Sequence, residues 1–249
     1  MGDQDQLAIQ LAQKIVAPIL WSTQQDFFIQ DYHKDYYDEV VNLIKHHYFR
    51  NEPMCRSKRL LQDPVSVNGY LELINFWLKD ETSIIALSAK SHRVVGVAIT
   101  KPNYLAERSD IYSREQLYEG EALAAINHLK CGVIKQSNFF HSKGISEFLR
   151  IYLLCVHPSY KAKGVGVELL ETCKELAWFL NFPFISGILT SHEHRMYADN
   201  AGYKLHSEIP YKNWMIDNQI VFDDPGIGNY SAAFMIKSTS NDKPNMENF

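Results

Sequence analysis

Six residues, Lys161-Ala162-Lys163-Gly164-Val165-Gly166, stand between a long apolar run at 148–156 and an amphipathic stretch reaching Leu180. A strand that ends in a glycine-bearing turn and opens a helix is suited to hold a pyrophosphate. The first-turn amides of the helix have no intrahelical acceptor, and the aligned peptide dipoles add partial positive charge. Glycine at 164 and 166 lets a ligand approach the backbone with no Cβ between them. Lys161 and Lys163 bring two formal charges to the same place. The dinucleotide fingerprint G-x-G-x-x-G needs a third glycine where Leu169 stands, and G-x-x-x-x-G-K-S/T is absent. On the turn alone, a tight helix entry with no ligand is the competing reading.

The bulk of the chain narrows the classes. Its 249 residues, 46% hydrophobic and 22% charged, suit one large globular domain or two small ones. A net charge of −4 supplies no cationic field, so nucleic acid is not an expected partner. Cys55, Cys131, Cys155 and Cys173 form no C-x-x-C pair, which argues against a disulfide scaffold or a thiolate metal site. Free thiols in a reducing compartment are expected, with Cys155 a small core residue. No histidine pair, His46–His47 and His141 included, shares a metal spacing with a nearby carboxylate, so no metal is expected. The N-terminus lacks a basic region and a continuous apolar centre, and Gln6 breaks the myristoylation pattern after Gly2. No run of 18 apolar residues is present. The chain reads as cytoplasmic.

These residues need elements to position them. Leu7, Leu11, Ile15 and Val16 recur at helical spacing and predict an N-terminal helical extension over 1–25. A strand is expected at 26–32, then a helix from Tyr36 to about Arg50 with Asp35 as cap, stopped by Pro53. Residues 51–60 read as a loop or broken helix. A second helix spans 65–78, capped by Asp63 or Ser66 with Pro64 in its first turn. A hairpin follows at 83–100. Residues 101–145 read as a long polar insertion with helical patches at 115–118 and 121–129. The run at 148–156 predicts a strand buried on both faces, followed by a helix at 164–180, a strand at 182–189 and a short helix closed by Gly202. Strands at 203–209 and about 220–237 complete a domain over 26–237, and 238–249 is a polar, flexible tail.

The pattern basic-x-x-Gly-x-Gly after a buried strand resembles the acyl-CoA-binding motif of the GNAT superfamily of N-acetyltransferases, with Lys161 in the place of Arg or Gln. The element order is similar over 26–237. Within that superfamily the chain most resembles the insect arylalkylamine N-acetyltransferases, through "HHYFRNEPM", "LCVHPSYKAKGVG" and "NAGYKL". The resemblance implies an α/β (α+β) acyltransferase fold: a mixed sheet of about seven strands flanked by helices, with the fourth and fifth strands splayed. It implies acetyl-CoA as co-substrate and a small primary amine such as dopamine, tyramine, serotonin or tryptamine as acceptor; a monomer is favoured, with the oligomeric state left open. Agmatine and other polyamines, a longer acyl chain, a protein amino group, or a CoA-binding module without catalysis remain alternatives.

Site residues follow from the same resemblance. An alkylamine with a pKa near 10.4 has roughly one molecule in a thousand neutral at pH 7, so a general base is needed. Glu52, stiffened by Pro53, matches the family's base. Leu154, Cys155 and Val156 match the strand that bonds the pantetheine arm, and residues 161–166 match the pyrophosphate turn. Many relatives carry an acidic Tyr where Ala198 stands; Tyr197, one residue earlier, is expected among the cofactor-binding residues. The insect enzymes use hydroxyl residues in the preceding segment, which puts Thr190, Ser191 and His194 at those positions. His192 and His194 read equally as a solvated helix end, and His157 as a proton relay or a packing and capping residue. Tyr48, Phe49 and Tyr32 are candidates to stack on an aromatic acceptor or belong to the core.

Overall fold

Residues 148–156, the most continuous apolar run, sit in the strand β5 (Glu147–Val156), with Phe148–Ile151 and Leu153–Val156 all buried. The computed structural model describes residues 18–107 and 119–240. In chain order these form β1 (Leu20–Thr23), β2 (Phe27–Asp31), α1 (Tyr37–Leu43), α2 (Phe49–Asn51), α3 (Pro53–Ser57), α4 (Pro64–Leu78), β3 (Ile84–Ser88) and β4 (Val94–Tyr104). Then follow α5 (Glu121–Ser137), α6 (Phe139–Lys143), β5, α7 (Val165–Phe179), β6 (Phe184–Leu189), α8 (His192–Asn200), β7 (Lys204–Pro210), β8 (Met215–Ile216), β9 (Gln219–Ile220) and β10 (Ser231–Ser238).

Eight strands make one sheet in the order β1-β2-β3-β4-β5-β6-β10-β7, antiparallel except for the β5–β6 pair. Apolar residues of β5 alternate between two cores. Phe148, Leu153 and Cys155 join the cluster of α1, α4 and α5 on one face. Leu149, Ile151, Leu154 and Val156 join the cluster of α7 and α8 on the other. The alternation breaks at Tyr152, which has no partner in β4, because Thr100 pairs with Ile151 and Ile99 with Leu153. Such a bulge bends a strand. The β6 ladder ends beside it, pairing only Leu149–Ile151 with Ile185–Gly187. Beyond that point β5 and β6 diverge, which is the expected splay.

Several local readings change. The amphipathic helix read from Leu7 to Val16 lies outside the described residues, but Leu20–Thr23 is an edge strand, not helix. His33, not Asp35, caps the entry to the first helix, which starts at Tyr37. Asp63 is the cap of α4: its side chain accepts from the Ser66 amide, and Pro64 fills the first position. The described residues of the stretch 101–145 are built into the fold: β4 continues to Tyr104, and α5 buries Leu123, Ile126, Leu129 and Val133 in the first core. The patch at 115–118 lies outside the described residues. The last strand begins at Ser231, and 215–220 instead form the separate hairpin β8–β9 around Asp217 and Asn218, both at positive φ. Thr239 is buried and bonds the Phe182 carbonyl, so the chain is tied down beyond 238.

Candidate active site

Glu52 separates two short helices. Its backbone is extended at ψ 130, and Pro53 starts α3 directly after it. Proline suits a first helical position because its missing N–H has no acceptor there anyway. The Glu52 carboxylate therefore folds over as a helix cap, with Oε2 accepting from the Cys55 amide at 2.7 Å. Its other oxygen, Oε1, is buried without a hydrogen-bond partner, and the residue is 4% exposed. The helix before it widens into one π turn, Ile44–Tyr48, and the Glu52 amide donates to the Tyr48 carbonyl. Single π turns recur at functional sites. This one sets His47 and Tyr48 at the position from which Glu52 is held.

The unpartnered end of β5 and Glu52 meet in one crevice. A cavity of about 60 Å³ is lined by Glu52, Leu154, Cys155, Val156, Lys161, Ser191 and His194, seven of the residues expected from sequence. It is large enough for a few waters. Tyr48, one of the aromatic candidates, also lines it; His47, Asn51, Pro158 and Glu193 complete the walls and are not expected from the sequence. His47 carried a legible signal, standing one π turn before the acid. Behind Glu52 lies a second unanticipated group, Lys130, buried and donating to the Tyr70 hydroxyl at 3.0 Å. Burial pulls the Lys130 ammonium down, while the nearby Glu52 and Cys55 pull it back up.

His194 sits in the first turn of α8, whose cap is Ser191, the Ser191 Oγ accepting from the His194 amide at 3.2 Å. Burial lowers its imidazole to about 4, against the opposing pull of Glu193 and Glu52. A neutral ring at pH 7 can accept a proton and cannot serve as an acid. Cys155 is no nucleophile either, because burial pushes its thiol up to about 12. Thr190 is buried and its carbonyl accepts from the Tyr211 hydroxyl at 2.6 Å; it does not line the cavity. His157 caps the 3-10 turn Pro158–Lys163, its Nδ1 accepting from the Ser159 amide, and its ring lies 4.7 Å from that of His47. The capping alternative is the one present. His192 is exposed and donates its amide to Asn229.

The turn itself departs from a bare cationic cradle. Lys161 is ion-paired with Glu193 at 2.5 Å, and Lys163 with Asp26 at 3.0 Å. The Tyr197 hydroxyl also donates to Glu193 at 2.8 Å, so a chain Lys161–Glu193–Tyr197 ties the turn to α8. Burial tends to raise the Glu193 carboxyl, but the hydrogen bonds from Lys161 and Tyr197 leave it lowered overall. Burial and Glu193 both push the Tyr197 phenol upward. Ala162 is exposed beside the lysines. Gly164 is at φ +82 with open space around it, the geometry that leaves room for a ligand. Gly166 has another reason: a Cβ there would stand 2.3 Å from the Tyr197 ring. Val165 is fully buried and packs beside Gly96.

Tyr48 and Phe49 are core residues packed on Tyr70, and Tyr32 lines a separate cavity with Tyr37 and Lys79. None of the three faces the crevice as an open aromatic wall, although Tyr48 touches it.

The mixed eight-stranded sheet flanked by helices is an architecture that known structures share. The fold is that of the GNAT N-acetyltransferases. A yellow fever mosquito protein (Aedes aegypti) assigned as arylalkylamine N-acetyltransferase 7 superposes with a TM-score of 0.81 at 20% identity, over 90% of this chain and 96% of that one. Arylalkylamine N-acetyltransferase 2 of Aedes aegypti gives 0.78 at 20% identity, over 86% and 99%. The Drosophila melanogaster polyamine N-acetyltransferase, which forms N-acetylagmatine, gives 0.72 at 17% identity, over 86% and 100%. By sequence, no family model and no curated protein matches. Among the described residues no helix is long and apolar enough to cross a membrane, and no group of His, Cys, Asp and Glu is arranged to hold a metal.

Proposed function

We propose that the protein is an acyl-CoA-dependent N-acetyltransferase of a small primary amine, with Glu52 as general base. The observation that carries this reading is the buried Glu52 carboxylate. One oxygen accepts from the Cys55 amide, the other is buried with no hydrogen-bond partner, and the residue lines the crevice where β5 parts from β6. A buried acid with an unsatisfied oxygen costs stability. At the end of a crevice it is suited to receive a proton. The residues present fit the co-substrate: the free edge of β5 at Leu154–Val156 would bond the pantetheine arm, and the first-turn amides after Gly164 would take the diphosphate.

Coenzyme A supplies an acyl carbon activated as a thioester. Glu52 takes the proton of the incoming ammonium, directly or through water in the crevice. The amine nitrogen then forms the new C–N bond as the C–S bond breaks. As the tetrahedral adduct collapses the nitrogen gives up its second proton, which passes through the Ser191 hydroxyl to the departing thiolate and leaves it as the thiol, whose pKa is about 8.5. His194, kept neutral by burial, takes part as a hydrogen-bonding relay rather than as a charged acid or base. Among the described residues no Cys or Ser is activated, which favours direct attack over a covalent acyl-enzyme. An arylalkylamine acceptor is favoured by the likeness to the mosquito enzymes. A polyamine is the second reading, favoured by the likeness to the Drosophila enzyme. Purified protein, acetyl-CoA and a panel containing tyramine, dopamine, serotonin, tryptamine and agmatine test it by release of free thiol. Thiol release with at least one amine is expected. Tight CoA binding with no thiol from any amine would instead indicate a binding module.

A further inference from the structure

The two lysines that sequence assigns to the phosphates spend their charge on Glu193 and Asp26. Recognition of a polyanionic nucleotide needs positive charge elsewhere. Beside the same turn lies an open cavity of about 530 Å³, within the usual range for small-molecule sites. His47 belongs to both this cavity and the crevice at Glu52, and His157 and Tyr160 of the turn form one of its walls. Arg50 comes to it from α2, and Arg93 from the turn between β3 and β4. Both are exposed, and neither guanidinium has an ion-pair partner among the described residues. The opposing acid is Glu39, whose Oε2 already accepts from the Val94 amide at 2.9 Å.

We propose that this cleft holds the 3′-phosphate of the nucleotide, with Arg50 and Arg93 as its ligands. The inference rests on the coenzyme A reading above. A phosphate monoester carries about −1.5 to −2 charges and three acceptor oxygens, which a guanidinium fork matches in pairs. Diphosphate binding by backbone amides alone, as at Gly164–Gly166, is compatible with a turn whose lysines are neutralised. Discrimination of the extra phosphate then falls to the arginines. The cleft opens to solvent, as suits the distal end of the nucleotide, whereas the acceptor amine must reach the buried Glu52.

Coenzyme A and dephospho-coenzyme A differ only in that phosphate, so calorimetry with both on the full chain tests the assignment. Wild type is expected to bind coenzyme A about ten-fold tighter or more, the scale of one charged hydrogen-bonded contact. The R50Q/R93Q double variant is expected to bind both at the wild-type affinity for the dephospho form. Equal wild-type affinities overturn the inference, and that arm needs no variant. A double variant whose circular dichroism is unchanged and which keeps the wild-type ratio also overturns it, leaving the cleft to a different anion. Absence of binding for both nucleotides overturns the cofactor reading itself, a distinct outcome.

Discussion

Replacing Glu52 by Gln removes the proton acceptor and keeps the shape. A glutamine carbonyl oxygen can still accept from the Cys55 amide, as Oε2 does at 2.7 Å, so α3 keeps its cap. Stability should change by less than about 1 kcal/mol, whereas Glu52→Ala loses the cap and costs about 0.5–2 kcal/mol. Activity behaves differently. With an acceptor pKa near 10.4, the ammonium outnumbers the amine by on the order of 10³ at pH 7. Wild type removes that proton on the enzyme, so its kcat/KM should be nearly flat between pH 7 and 9. The E52Q variant must draw on free amine, so its kcat/KM should rise about ten-fold per pH unit over that range. The deficit expected at pH 7 is about 10²–10³-fold, or roughly 3–4 kcal/mol of barrier, and it narrows as pH rises. Steady-state thiol release across pH, with thermal unfolding alongside, makes the measurement. A pH profile parallel to wild type, or a loss below about three-fold at pH 7, would remove Glu52 as base.

Gly166→Ala should cost about 1–3 kcal/mol in urea unfolding, because its Cβ would meet the Tyr197 ring at 2.3 Å; an unchanged midpoint would contradict that contact. Gly164→Ala, at φ +82 with free space, should cost about 1–2 kcal/mol by backbone strain alone, and a neutral result would mean the turn is not left-handed. His194 is lowered to about 4 in the fold against about 6.5 unfolded, so the unfolded chain binds more protons between those values. Wild type should therefore hold its full stability above pH 6.5 and lose it as pH falls toward 4, and H194Q should lose less over that window. Superimposable pH curves for the two proteins would refute the burial argument. All four cysteines are buried thiols outside any disulfide, so a thiol reagent should label native protein slowly and denatured protein at four sites; a fast native phase would place one of them at the surface.

Much of the scaffold was legible because it depends on local pattern. The buried strand β5, the Asp63-Pro64 start of α4 and the helix after Gly164 all follow from residues close in sequence. The two-stranded hairpin at 215–220 carried its signal in Asp217-Asn218, a pair that tolerates positive φ, but its strands are too short to show alternation. What depends on distant partners was hidden. Lys161 and Lys163 read as free cations because Glu193 and Asp26 reach them only through the fold. Gly166 reads as a ligand approach until Tyr197 is placed on it from the next helix. Glu52 was found through resemblance, and its helix-capping geometry explains why a Glu-Pro pair can hold an acid still. Lys130, on α5, had no sequence mark separating it from other helix-surface lysines, yet it is buried behind that acid.

A crystal of the full chain soaked with coenzyme A tests the central claim most directly. The pantetheine arm is expected along β5 beyond Ile151, in the gap that β6 leaves, with the diphosphate at the amides after Gly164 and the sulfur turned toward Glu52. A nucleotide bound elsewhere on the molecule, or an arm whose sulfur points away from the Glu52 carboxylate, would contradict it.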